Sequence, residues 1–185
     1  MVAKSETQRF KEKALRNLPK GKGVYALCDL DEVPIYVGRS VDGIAARVRR
    51  HLTSARSDQI ANRQIDVWEI AFVWAWPRED IEAIKALEDA LVYRLNKQSP
   101  LTNGSIPTTA PAPTSELSPE VRSQIMPDEQ IEARKSLAMR FPRQIQHFGA
   151  LVDYILNTQD KPHLRRAVQV HFERLARYHG AFLDE

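Results

Sequence analysis

The sequence predicts an α/β fold. A small sheet of about three strands flanked by helices should come first, followed by a Pro-rich linker and a small all-helical C-terminal domain. Three observations predict this. Up to residue 104, short period-two runs rich in aromatic and β-branched residues alternate with amphipathic stretches. Pro107, Pro111, Pro113 and Pro119 then crowd a segment of Ser, Thr and Ala that can continue neither a helix nor a central strand. Beyond it the apolar spacing is helical. The expected division is a domain over 1–104 that includes a basic N-terminal helix, a linker over 105–120, and a helical domain over 121–185.

Residues 5–17 read as a short basic helix with Phe10 and Leu15 as its apolar anchors. GVYALC from Gly23 and VPIYVG ending at Gly38 read as a strand pair across an acidic turn, Asp29 to Glu32. Alternation puts Tyr25 and Leu27 on one face and Val24, Ala26 and Cys28 on the other, and sets Tyr36 opposite to Ile35 and Val37. Residues 43–56 repeat Ile44, Val48 and Leu52 four apart, the buried stripe of a helix, and Arg47 and His51 share that spacing on an adjoining face. Residues 65–76 read as one long strand, stopped by Pro77. Residues 79–96 form a helix with Ile84, Leu87, Leu91 and Leu95 inward and Glu88 at the edge of that stripe. After the linker, three helices are expected near 127–141, 142–157 and 162–179, the last opening on Pro162 and ending at Gly180.

Composition narrows the function classes. Of 185 residues, 43% are apolar and 28% charged, which fits a folding chain rather than a disordered one. No run approaches the ~18 apolar residues of a membrane span, and the amino terminus lacks the apolar centre of a secretion signal, so a cytoplasmic protein with no membrane partner is expected. The single cysteine, Cys28, fits a reducing compartment. Net charge is +3, and all of the excess lies before residue 103, where 17 basic residues face 14 acidic ones. Seven cations fall within 4–22 and six arginines within 39–63, clusters suited to a polyanion or to a solvated helix face. His147, His163, His171 and His179 all follow the linker. The eight-residue steps of the last three are too wide for one metal site on a helix.

In chain order the first domain offers Gly23-Val24-Tyr25, Tyr36-Val37-Gly38, Arg47 with His51, Glu88, and Asn103-Gly104. This combination of order, spacing and context resembles the GIY-YIG nuclease family over about residues 21–104. Valine replaces isoleucine in both motifs, and the stretch 39–46 is one residue longer than in homing enzymes, a residue that Gly43 should absorb in the turn before the helix.

The resemblance implies a metal-dependent endonuclease hydrolysing DNA phosphodiester bonds. Glu88 would hold one Mg2+ or Mn2+; Asp89, the register alternative, projects about 100° away around the helix. A lone carboxylate suits magnesium, which keeps most of its waters. Arg47 would stabilise the pentavalent transition state, its guanidinium being permanently charged and able to fork onto phosphate oxygens. Tyr25 and Tyr36 would handle the attacking water, and His51 would relay a proton or bind phosphate. Arg39, Arg49 and Arg50 would contact DNA phosphates. Asn103, grouped with this DNA-binding set, would close the domain by hydrogen bonding. Trp68, Trp74 and Trp76 suit core or interface better than base stacking. The C-terminal helices would serve targeting or association, as a homodimer or with a protein partner. Two rival readings stay open: a catalytically inactive DNA-binding module of the same fold, and a chain whose helical tail is the functional part.

Overall fold

Four antiparallel strands in the order β2-β1-β3-β4 form the centre of the protein. The structure, a computed structural model, describes residues 5–53, 63–111 and 117–184. In chain order the elements are α1 (Glu6–Arg16), β1 (Gly23–Cys28), β2 (Pro34–Ser40), α2 (Ile44–Thr53), a short 3-10 helix (Val67–Glu69), β3 (Phe72–Pro77), α3 (Ile81–Gln98), β4 (Val121–Gln124), α4 (Asp128–Lys135), α5 (Leu137–Asn157) and α6 (Pro162–Leu183). The end of the predicted α2 segment, 54–56, and Pro113 lie outside the described residues. Among those described, no helix is long and apolar enough to cross a membrane.

Strand alternation assigns the faces of β1 and of Tyr36 and Val37 as the sequence predicts. Ile35, expected opposite Tyr36, instead packs on the Tyr25 side, because the β1–β2 register shifts between Leu27 and Cys28. Tyr25 and Leu27 pack with Leu15, Leu18, Ile44, Val48 and Leu52, so α1 and α2 cover that face. Val24, Ala26, Cys28, Val37 and Trp76 pack with Ile84, Leu87, Leu91 and Leu95 of α3 on the other. Helix α1 begins where the sequence places it, with Ser5 and Gln8 forming a reciprocal capping box. Leu15 is its buried anchor; Phe10 is exposed.

Two predicted elements differ. Residues 65–71 are not strand: Asp66 accepts from the Trp68 amide and caps the 3-10 helix, so β3 starts only at Phe72. Residues 121–124, expected to open an all-helical region, form a fourth strand instead. They pair with β3 and cover an edge that would otherwise present bare amides and carbonyls. Arg122 stacks on Trp74, whose indole donates to Glu32 at 2.8 Å, and Arg134 stacks on Trp68. The break between the first two C-terminal helices falls at Ser136, and Pro142 sits inside α5 rather than starting it.

Charge holds the last two helices to the sheet. Arg140 of α5 donates two parallel hydrogen bonds to Glu69, at 3.1 and 2.8 Å, and a third to Asp31 at 2.6 Å. Arg174 of α6 pairs with Asp29, and Arg143 donates to Asp66 at 2.9 Å. Asp29, Asp66, Glu69, Arg140 and Arg174 are all 4% exposed or less. Beside them the rings of His147 and His171 meet at 4.6 Å, and His171 lies 3.1 Å from the Gln64 carbonyl.

Breaking a buried pair from one side leaves a stranded charge, at about 3–5 kcal/mol. Arg140→Ala should therefore lower unfolding free energy in urea by roughly that amount; a change under about 1 kcal/mol, the surface-pair range, would show that the pair is effectively solvated.

Burial pushes His147 down to about 4, with Arg143 adding to the effect, and His171 down to about 3, with His147 adding. An unfolded chain binds these protons near pH ~6.5, whereas the folded one resists them, so stability must fall as pH drops below that value. Asp66, Arg143 and Arg174 face this pair. The thermal midpoint should decline from pH 6.5 to 4 in wild type and less steeply in His147→Gln, as differential scanning calorimetry across that range would read.

Candidate active site

The β1–β2 register sets Tyr25 directly opposite Gly38. A Cβ at Gly38 would lie 2.6 Å from the Tyr25 hydroxyl oxygen and 2.9 Å from the Tyr36 ring, so the space that admits the two phenols is the side chain glycine lacks. Tyr25 and Tyr36 stand with ring centroids 6.4 Å apart, and His51 of α2 lies 5.9 Å from each. The Tyr25 hydroxyl and His51 Nε2 share a 2.7 Å hydrogen bond. Both are buried, whereas Tyr36 and Arg47 are half-buried and retain access to solvent.

Arg47 lies near the Tyr25 phenol, where its charge opposes the rise that burial imposes on the phenol's pKa. Its Nε is buried and has no hydrogen-bond partner among the described residues. Gly43, at φ +119, forms the turn ahead of α2, and a Cβ there would collide with the Lys20 carbonyl. The longer 39–46 stretch thus resolves in a conformation that favours glycine, and Arg47 still reaches the phenol.

Glu88 lies on α3, which packs against the opposite face, but its carboxylate reaches the β2 rim. Arg39 Nη1 is 3.1 Å from Glu88 Oε2. Burial raises the Glu88 pKa, Arg39 opposes the rise and Asp89 adds to it. The Tyr25 pKa is also raised, by burial first and then by Tyr36; Arg47 counters this and Glu88 contributes to it. Glu88, Asp89 and Asn103 line an open cavity of about 460 Å³ with Ser105 and Pro107 of the Pro-rich segment.

Asn103 works as a strut. Its amide donates to the Val37 carbonyl at 2.7 Å and accepts from the Val37 N–H at 3.0 Å, satisfying the outer edge of β2 as a neighbouring strand would. Thr102 adds two bonds to the Ile35 carbonyl. Sequence reasoning missed Arg166 of α6, which donates to the Asn103 carbonyl at 3.0 Å and to Asn96 at 2.7 Å and so holds that strut from behind. It occupies an ordinary position on a predicted helix, and no local signal marks it.

The structure therefore gathers Tyr25, Tyr36, Arg47 and His51, and brings Glu88, Arg39 and Asn103 to the adjoining rim. Arg49 is not among them; it lies on the other flank of α2, in a groove shared with Arg16 at the end of α1 and Lys20 just beyond it. Arg50 is exposed. Trp76 is core, while Trp74 and Trp68 lie under arginines. His163 abuts Gly104, and His179 packs near Phe141.

Among the described residues, no group of three or more His, Cys, Asp or Glu side chains converges as a metal cage. The donor set at Glu88 suits a hard cation that keeps most of its water: a single carboxylate, 20% exposed, facing an open cavity beside a second acid. The chain matches no family model and no curated protein.

Gly38→Ala should push the phenol away from His51 and cost about 1–3 kcal/mol, the usual overpacking penalty. Urea unfolding and the His51 ring resonances in NMR would check this; wild-type values for both would mean that the pocket has slack.

Proposed function

We propose that this chain is a divalent-metal-dependent DNA endonuclease of the GIY-YIG type. The observation that carries the reading is the gathering of Tyr25, Tyr36, Arg47 and His51 beside a rim that bears Glu88. In this reading the phosphate docks against the half-buried Arg47, whose forked guanidinium complements the charge that builds on its oxygens. Tyr36, the accessible phenol, orients the attacking water. Tyr25 and His51 are positioning residues: buried and bonded to each other, they hold Arg47 at the phosphate. Water adds to phosphorus as the bond to the departing sugar oxygen breaks, giving a phosphomonoester and a free hydroxyl. A Mg2+ or Mn2+ ion held by Glu88 would supply Lewis-acid stabilisation of the phosphate oxygens. Arg39, Arg50 and, farther along α2, Arg49 contribute backbone contacts without reading sequence. The C-terminal helices serve association, a role supported by the exposed Met139, Ile145, Phe172 and Phe182.

The alternative, a catalytically inactive DNA-binding module, draws on one observation: Tyr25 is fully buried and its pKa is raised, which makes it a poor base.

Nicking of supercoiled plasmid in Mg2+ decides between them. The endonuclease reading expects cutting that EDTA abolishes and that Glu88→Gln and Arg47→Ala each slow by at least about 100-fold, as loss of a transition-state contact does. A gel shift without cutting in Mg2+ or Mn2+ would favour the inactive module, and full activity in both variants would rule the assignment out.

A further inference from the structure

We propose that Arg39 gates Glu88: in the free protein its guanidinium occupies the carboxylate, and a DNA phosphate draws it away, so that metal loads together with substrate. The gate rests on the reading of Glu88 as the metal ligand.

Three observations point to it. The first is parity. Gly38 faces the phenols, so Arg39, the next residue on β2, faces the α3 side, where Glu88 lies. The second is the pair itself. At 3.1 Å, Arg39 Nη1 sits on one oxygen of the Glu88 carboxylate, which is where the cation of the proposed reading would bind. The third is asymmetry of exposure. Arg39 is 46% exposed against 20% for Glu88, so the guanidinium can swing outward at little cost in desolvation while the carboxylate stays at the cavity.

The two partners of Arg39 are not equal. A half-exposed ion pair contributes little, about 0–1 kcal/mol, so it yields readily. A phosphate offers two oxygens to the guanidinium fork and releases counterions as it is neutralised. With Arg39 on the phosphate, Glu88 is freed for metal beside the same strand. Because the coupling is reciprocal, bound metal in turn favours the arrangement in which Arg39 lies on the DNA.

Two binding measurements on the full chain test this without reference to cleavage. In an EPR titration of Mn2+ without DNA, Arg39→Gln should bind roughly 3- to 5-fold more tightly than wild type, the factor corresponding to a pair of that strength. Arg39→Lys, which keeps the charge, should stay near wild type, and Glu88→Gln should lose the site. In EDTA, affinity for a short duplex should fall less steeply with salt in Arg39→Gln, by about one unit of slope. Wild-type Mn2+ affinity in Arg39→Gln would overturn the gate, as would an unchanged salt slope. Undiminished Mn2+ binding in Glu88→Gln would overturn both the gate and the metal assignment. A chain that passes both binding tests yet never cuts DNA would remove the endonuclease reading and leave the gate standing.

Discussion

The missing methyl of Gly38 is the constraint around which the site is organised. One antiparallel register places Tyr25 across from Gly38, and the period of two does the rest. Tyr36 must then share the face of Tyr25, while Val37 and Arg39 must turn to the other side. Slipping the pair by one residue would invert every one of these placements. Between Tyr25 and Gly38 the site needs one register and one residue small enough for a phenol to lie over it. Asn103 secures the outer edge of that strand, and Arg166 secures Asn103.

The C-terminal helices follow different physics. Their own apolar cluster is small, centred on Leu151, Leu164 and Ala167. Attachment to the sheet rests instead on guanidinium–carboxylate pairs taken almost fully out of water. Such pairs gain little over an apolar interface of equal size, yet they tolerate almost no misplacement, because an unpaired charge there is so costly. The result is a specific seat for α5 and α6 against the Asp29 turn and the 3-10 helix.

Elements whose inward and outward residues alternate cleanly were legible in the sequence. The faces of β1, the stripe of α3 and the extent of α1 all follow from local spacing. The stretch 65–71 was not legible as a 3-10 helix and loop, because Val67, Trp68 and Ile70 carry strand propensity while the deciding contacts of Asp66 and Glu69 come from α5, more than 70 residues away. Strand β4 was hidden by its brevity and by the prolines before it. Tyr25, Tyr36, Arg47 and His51 could be grouped from motif order, but the burial separating the two tyrosines depends on Gly38 and α2 together. The hydrogen-bonding role of Asn103 was legible only through the family resemblance, and Arg166 behind it leaves no local trace, since its partners Asn96 and Asn103 are distant in sequence.

Asp29 and Arg174 are 145 residues apart in the chain and meet in a buried pair. At ribosomal speeds of about 5–20 residues per second, the acidic turn stays hydrated for at least ~7 s before its counter-ion has been made. The emerging β1–β2 hairpin must therefore remain open at that end, and the interior can shed its water only late in synthesis. Completion of this interior therefore waits for α6, the last helix described in the chain.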